Sequence, residues 1–274
     1  MNKQINKKNI EKWQGKTALI TGASGGIGAE IARKLAAEGL HVILVARREE
    51  ILVDLAREIA SRGGMATVLP ADLSDENERQ RVFNRVMDQF GHLDVLVNNA
   101  GFGWYGYTQE MPWPLALEML RVNIAAIVQL TIMFLPKMRA RNTGHIINIG
   151  SVAGSIPSQG VALYSATKSF VNSFTTSLYR ELSGSRVRTS VVRAGPVATG
   201  FLSDMNRKQS RLLTLVERMG VSPRRIAGSV WSLILHPRRK VYVPGWMGVV
   251  PLIEFGLGWI MDKIGPLDLK NQAA

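Results

Sequence analysis

Short β-branched and aliphatic runs alternate with longer amphipathic stretches along nearly the whole of this chain, and few folds accept that rhythm. The runs Thr17–Ile20, Val42–Val45, Thr67–Leu69, Val95–Val97, His145–Ile149, Val187–Val192 and Val241–Val243 read as buried strands. Between them Ile27–Glu38, Glu49–Arg62, Asp75–Phe90, Trp113–Arg139, Ala162–Leu182 and Pro223–Leu235 carry apolar residues at helical spacing. Strand, helix and strand in succession call for parallel pairing, and right-handed crossovers then cover both faces. The expected fold is α/β: a doubly wound parallel sheet of about seven strands with helices on both faces, in a single domain. Ligands of such a sheet bind in the crevice beyond the carboxyl ends of the strands. The informative residues are therefore those that follow each strand.

At 274 residues and 46% hydrophobic, the chain can bury one large core. With no cysteine it can form neither a disulfide nor a thiolate metal site, and the cytoplasm is the expected location. Residues 1–15 are polar and basic and read as a solvated arm rather than a signal peptide. Residues 16–245 form the expected domain, and residues 246–274 an apolar extension. Net charge is +13, and from Arg186 to Lys240 twelve lysines and arginines stand against only Asp204 and Glu217. That balance favours an anionic partner.

After the first strand comes Thr21-Gly22-Ala23-Ser24-Gly25-Gly26-Ile27-Gly28, followed at once by a helix. Glycines let a backbone turn tightly and approach a pyrophosphate, while free N–H groups and the helix dipole hold the anion. The spacing T-G-x-x-x-G-x-G is neither a phosphate-binding loop with Gly-Lys-Ser/Thr nor the usual G-x-G-x-x-G. Taken alone, it could equally be a strand-to-helix turn that needs positive φ. The second strand ends in Arg47-Arg48, where a carboxylate would be expected if the site held an unphosphorylated ribose. Guanidinium groups there suit a 2′-phosphate, which predicts NADP(H) over NAD(H). The alternative is that Arg47 and Arg48 merely begin a solvated helix.

Tyr164-Ser165-Ala166-Thr167-Lys168 lies on an expected helix, and Ser151 ends the fifth strand. Tyr164 and Lys168, four apart, project from one helical face. A phenol titrates near pH 10, so a neighbouring ammonium, with the positive nicotinamide of an oxidised cofactor, is expected to pull the Tyr164 pKa down towards useful proton transfer. Ser151 can donate to a carbonyl oxygen on which negative charge develops.

With these motifs in order, the chain resembles the short-chain dehydrogenase/reductase family over roughly Lys16 to Gly245. The matches are Thr21-Gly22-x3-Gly26-x-Gly28, Asp72, Asn98-Asn99-Ala100-Gly101, Asn123, Ser151 and Tyr164-x3-Lys168. The resemblance implies a Rossmann-like fold and NAD(P)-dependent exchange of hydride between an alcohol and a carbonyl. It implies that Ser151 and Tyr164 hold the carbonyl, that Tyr164 moves the proton, and that Lys168 binds the nicotinamide ribose. Asn123 would hold a relay water; Asp72, with Leu73 beside it, would contact adenine, and Asn98 to Gly101 the adenosine ribose. Gly22, Ser24, Gly26, Ile27 and Gly28 would line the phosphates, and Val197 with Thr199 would grip the carboxamide. Without the resemblance, Asp72 reads as a helix cap and Asn123 as a satisfied core amide. One departure stands out: the family's usual Pro-Gly after the sixth strand is here Ala194-Gly195, which questions the rigidity of that turn.

The substrate lid is expected at about 200–225, where Phe201, Leu202, Met205, Leu212, Leu213, Leu215, Val216 and Met219 stand among basic residues. This suits a lipophilic or acyl-thioester carbonyl, giving an NADPH-dependent ketone reductase. The alternatives are a ketosteroid or retinoid-type dehydrogenase working oxidatively, and a cofactor-binding regulatory protein with little turnover. Nucleic-acid binding lacks a supporting motif. Relatives commonly pair through helices matching Trp113–Arg139 and Ala162–Leu182, so a homo-oligomer, dimer or tetramer, is expected. For the apolar stretch from Pro244 to Met261 three readings stay open: burial against the core or a subunit, shallow insertion at an anionic membrane surface, and a bilayer span.

Overall fold

Successive residues of a strand face opposite ways, and in β1 (Thr17–Thr21) this splits the core into two layers. Ala18 and Ile20 enter one layer and Leu19 the other, all three fully buried. Each such aliphatic side chain removed from water contributes roughly 1.5–3 kcal/mol. The computed structural model describes residues 13–156, 159–197 and 220–264, without the side chains of residues 257, 260, 261 and 264.

The succession runs β1, α1 (Gly26–Ala37), β2 (His41–Ala46), α2 (Glu49–Ser61), β3 (Met65–Pro70), α3 (Glu76–Phe90) and β4 (Val95–Asn98). Then come α4 (Trp113–Leu120), a π-helical turn (Arg121–Ala125), α5 (Ala126–Ala140), β5 (Gly144–Ser151) and α6 (Ala162–Glu181). β6 (Val187–Ala194), α7 (Pro223–Leu235), β7 (Lys240–Val243) and α8 (Val250–Ile264) complete it. The seven strands pair in parallel in the order β3-β2-β1-β4-β5-β6-β7. α1, α2 and α7 pack on one face and α3, α5 and α6 on the other. The expected doubly wound single domain is what the chain forms. Strand order reverses between β1 and β4, and the crevice opens there.

Local chemistry sets the boundaries. Asp75, expected inside α3, is its cap instead, accepting from the N–H groups of Asn77 (2.7 Å) and Glu78 (3.1 Å). The expected helix Trp113–Arg139 is present, but the wider turn at Arg121–Ala125 divides it and carries the buried Asn123. Trp13, assigned to the solvated arm, packs edge-on to Trp231 with ring centroids 6.2 Å apart. An indole covers more apolar surface than the arm's charge pattern suggests. Residues 1–12, most of the lid (198–219) and the tail from 265 lie outside the described residues.

His145 at the start of β5 is 4% exposed, and its Nε2 lies 2.9 Å from Oγ of Ser190. Burial, assisted by Arg188, lowers its pKa from 6.5 to about 3. Between those values the unfolded chain holds a proton that the folded protein does not, so acid costs stability. The urea midpoint should fall as pH drops from 6.5 towards 3, and His145→Gln should flatten that slope; an unchanged slope in the variant would contradict the assignment.

Candidate active site

Thr21, the last residue of β1, ties the two strands that flank the reversal. Its hydroxyl donates to the carbonyl of Val97 (3.3 Å) and accepts from the N–H groups of Asn99 and Ala100, both at 2.9 Å. The Asn99 amide returns a bond to the carbonyl of Thr21 (2.9 Å). Closeness here dictates glycine. A β-carbon on Gly28 would lie 2.2 Å from the Gly22 carbonyl oxygen, and one on Gly22 would lie 2.9 Å from Cα of Ala100. Gly22 also holds φ at 67°, where only glycine is unstrained. The turn thus leaves bare backbone at the N-terminus of α1.

That turn opens into a cleft of about 1410 Å³. Gly22, Ser24, Gly26, Ile27, Arg47, Arg48, Asp72, Leu73, Asn99, Ala100, Gly101, Ser151, Tyr164, Lys168 and Val197 all line it. Gly28 lies beneath the turn, Asn123 stands behind Gly101, and Thr199 falls outside the described residues. At one end Arg48 donates to Oγ of Ser24 (3.1 Å), and Arg47 pairs with Glu118 of α4 at 3.0 Å. Asp72 accepts from the Ser74 N–H at 2.9 Å, and the cap of α3 is left to Asp75.

At the other end, α6 brings Tyr164 and Lys168 together beside the end of β5. Nζ of Lys168 stands 5.8 Å from the Tyr164 ring centroid and donates to the carbonyl of Ile149 at 3.0 Å. Ser151 shares a hydrogen bond with Tyr164, and its Oγ also accepts from the Ala153 N–H (3.1 Å) and donates to the Ala194 carbonyl (3.3 Å). The protein's own groups alone do not pull the Tyr164 pKa down. Burial pushes it up to about 12, with the Ser151 hydrogen bond opposing only part of that. Burial also lowers Lys168 to about 8, so it remains largely an ammonium at neutral pH.

Asn123 is fully buried. Its Oδ1 accepts from the Phe102 N–H (3.0 Å), and its Nδ2 donates to the Phe102 carbonyl (2.9 Å) and to Oγ1 of Thr167 (3.1 Å). The amide therefore ties the loop after β4 to α6 next to Lys168. π-helical turns often mark functional positions.

The turn without its first proline is held by other means. The N–H of Gly195 donates to the carbonyl of Val243 (2.8 Å), that of Val221 to the carbonyl of Pro196 (2.8 Å), and Val197 bridges Val221. Sequence reasoning gave Thr21 no role, although it sits inside the quoted motif. Glu118 carried no signal at all, since 71 residues separate it from Arg47.

Comparison with known proteins supplies a context for this geometry. The family model described as short chain dehydrogenase matches residues 16–210. The ketoacyl reductase HetN of Nostoc sp. is 34% identical over 234 residues, covering 84% of this chain and 78% of the relative. A fatty acyl-CoA reductase of Acinetobacter baylyi is 36% identical over 184 residues, covering 66% of this chain and 62% of that protein. A metagenomic short-chain oxidoreductase, solved in complex with NADP, superposes with a TM-score of 0.73 at 36% identity, covering 84% of this chain and 97% of that one.

Thr21→Val keeps the shape of the side chain but strands two N–H groups at the strand reversal. It should lower the unfolding free energy by about 2 kcal/mol or more, read from urea denaturation. A loss within error would mean that water replaces the hydroxyl.

Proposed function

Since the chain belongs to the short-chain dehydrogenase/reductase family and is an oxidoreductase acting on alcohol and carbonyl groups, we propose that it is an NADPH-dependent reductase of a lipophilic or acyl-thioester ketone, with Tyr164 as its general acid. The observation that carries the reading is the convergence of Tyr164, Lys168 and Ser151 at one end of a cleft whose other end holds Arg47 and Arg48.

The cleft fits a dinucleotide. The close packing of Gly22 and Gly28 bares backbone N–H groups for a pyrophosphate at the helix N-terminus, and the volume leaves room for a substrate besides. Gly22, Ser24, Gly26, Ile27 and Gly28 would cradle the phosphates. Asp72, Leu73, Asn99, Ala100 and Gly101 would border the adenosine, Arg47 and Arg48 the 2′-phosphate, and Lys168 with Val197 the nicotinamide end. Bound there, NADPH supplies the hydride.

The chain supplies the proton and the charge balance. A phenol held near 12 keeps its proton until negative charge grows on the carbonyl oxygen, which suits an acid working in the reductive direction. Transfer of that proton leaves a buried tyrosinate, and the Lys168 ammonium compensates it where little water can. The Ser151 hydroxyl positions the same oxygen. Asn123 fixes the loop and helix that frame Lys168, and a water held nearby would return the proton from solvent.

The relatives named ketoacyl reductase and fatty acyl-CoA reductase favour an acyl-thioester substrate over a steroid or retinoid. Exposed Ile132 on α5 and Tyr179 on α6 support association of subunits through those helices.

NADPH oxidation against 3-oxoacyl thioesters, ketosteroids, retinal and small aldehydes tests the substrate class; activity confined to any but the thioesters would replace it. In the same assay Tyr164→Phe should lower kcat at least about a hundredfold with NADPH affinity kept. A variant that retains most of its turnover would remove Tyr164 from the chemistry.

Arg47→Asp should shift the NADPH to NADH preference in kcat/KM at least about tenfold towards NADH. Glu118→Gln, which frees Arg47 from its partner, should tighten NADPH and leave NADH unchanged in a fluorescence titration. Equal use of both cofactors by the wild-type enzyme would refute the 2′-phosphate assignment.

A further inference from the structure

α8 turns an apolar stripe outward. Leu252, Phe255 and Trp259, at spacings of three and four, form one stripe and are 71%, 93% and 57% exposed. Ile253, and Trp246 and Val249 just before the helix, extend this apolar surface at 50%, 66% and 51%. The opposite face carries buried Val250 and half-buried Glu254, whose carboxylate lies against Gly258. An ordinary surface helix turns such a stripe towards the core.

Cations flank the stripe. Nζ of Lys263 stands 5.1 Å from the Trp259 ring centroid, next to exposed Asp262. Lys240 lies 5.6 Å from the ring centroid of Tyr242, and the segment leading into α8 packs on that ring at Gly248. At fifteen residues, α8 measures roughly 22 Å, too short for the ~30 Å hydrocarbon core of a bilayer. The chain carries a net charge of +13, which favours an anionic partner for this surface.

We propose that α8 and the segment before it dock this protein on an anionic lipid bilayer, with Leu252, Phe255 and Trp259 set among the acyl chains and Lys240 and Lys263 against the lipid phosphates. Aromatic and aliphatic residues on one helical face with basic residues beside them are the features of an interfacial helix. The docked segment also touches the cleft: Met247 packs closely on Gly195, in the cleft wall. A lipophilic substrate would then reach the cleft from the lipid side.

Flotation of the full chain with phosphatidylcholine vesicles, with and without phosphatidylglycerol, tests the proposal. The wild-type protein should float with the anionic vesicles and be released by salt. Replacing Leu252, Phe255 and Trp259 together by serine should weaken partitioning at least about tenfold with an unchanged far-UV circular dichroism spectrum. Lys240→Gln and Lys263→Gln should each weaken it roughly fivefold on anionic vesicles. Wild-type protein that stays with the aqueous phase, or a triple variant that floats as well, overturns the proposal. So does light scattering that shows a wild-type dimer which the triple variant turns into a monomer, because the stripe would then be a contact between copies.

Discussion

A missing atom at residue 28 governs the geometry of the cleft. Because Gly28 carries no β-carbon, the first turn of α1 can sit against the Gly22 carbonyl and the Asn99 amide. That contact brings a helix N-terminus to the reversal of strand order, where backbone N–H groups and the helix dipole face a common space. Thr21 completes the joint by tying β1 to the loop after β4. The catalytic candidates on β5 and α6 matter only because this joint fixes the space they look into.

At the far end of that space, burial acts on Tyr164 and Lys168 in opposite senses. The phenol, ordinarily at 10.0, is raised to about 12, and the ammonium, ordinarily at 10.5, is lowered to about 8. Low polarity disfavours either charge alone, yet the same low polarity strengthens the attraction between the two once both are present. The pair is therefore poised to separate charge only when another group takes up the proton. A sequence displays the two residue types and their spacing but not the desolvation that raises the phenol.

What was legible follows the same division between local pattern and long-range contact. Every strand and the six helices expected from periodicity are present, because a parallel sheet buried on both faces leaves an unmixed apolar signal. The glycine turn and the Tyr164–Lys168 spacing could be read because each depends on a few consecutive residues. Glu118, paired with Arg47, and Phe102, held by Asn123, could not: their partners are distant in the chain and no spacing announces them. α8 was obscured for another reason. Glu254, two prolines and several glycines argue against a spanning helix there, but a proline in the first turn costs no hydrogen bond, and the outward stripe shows only after the helix is formed.

The π-helical turn at Arg121–Ala125 works as a phase shifter in the long helix. An unbroken α-helix turns about 100° per residue, so one extra residue in a single turn rotates everything after it by that amount relative to everything before. Upstream of the shift, Met119 is buried; within it, Asn123 meets Phe102 and Thr167; downstream, Leu130, Phe134 and Met138 meet the sheet. A helix of uniform pitch would have to choose between satisfying the amide and seating the core. A single residue inserted or deleted between 121 and 125 would therefore turn α5 against its own packing, although no apolar residue had been changed.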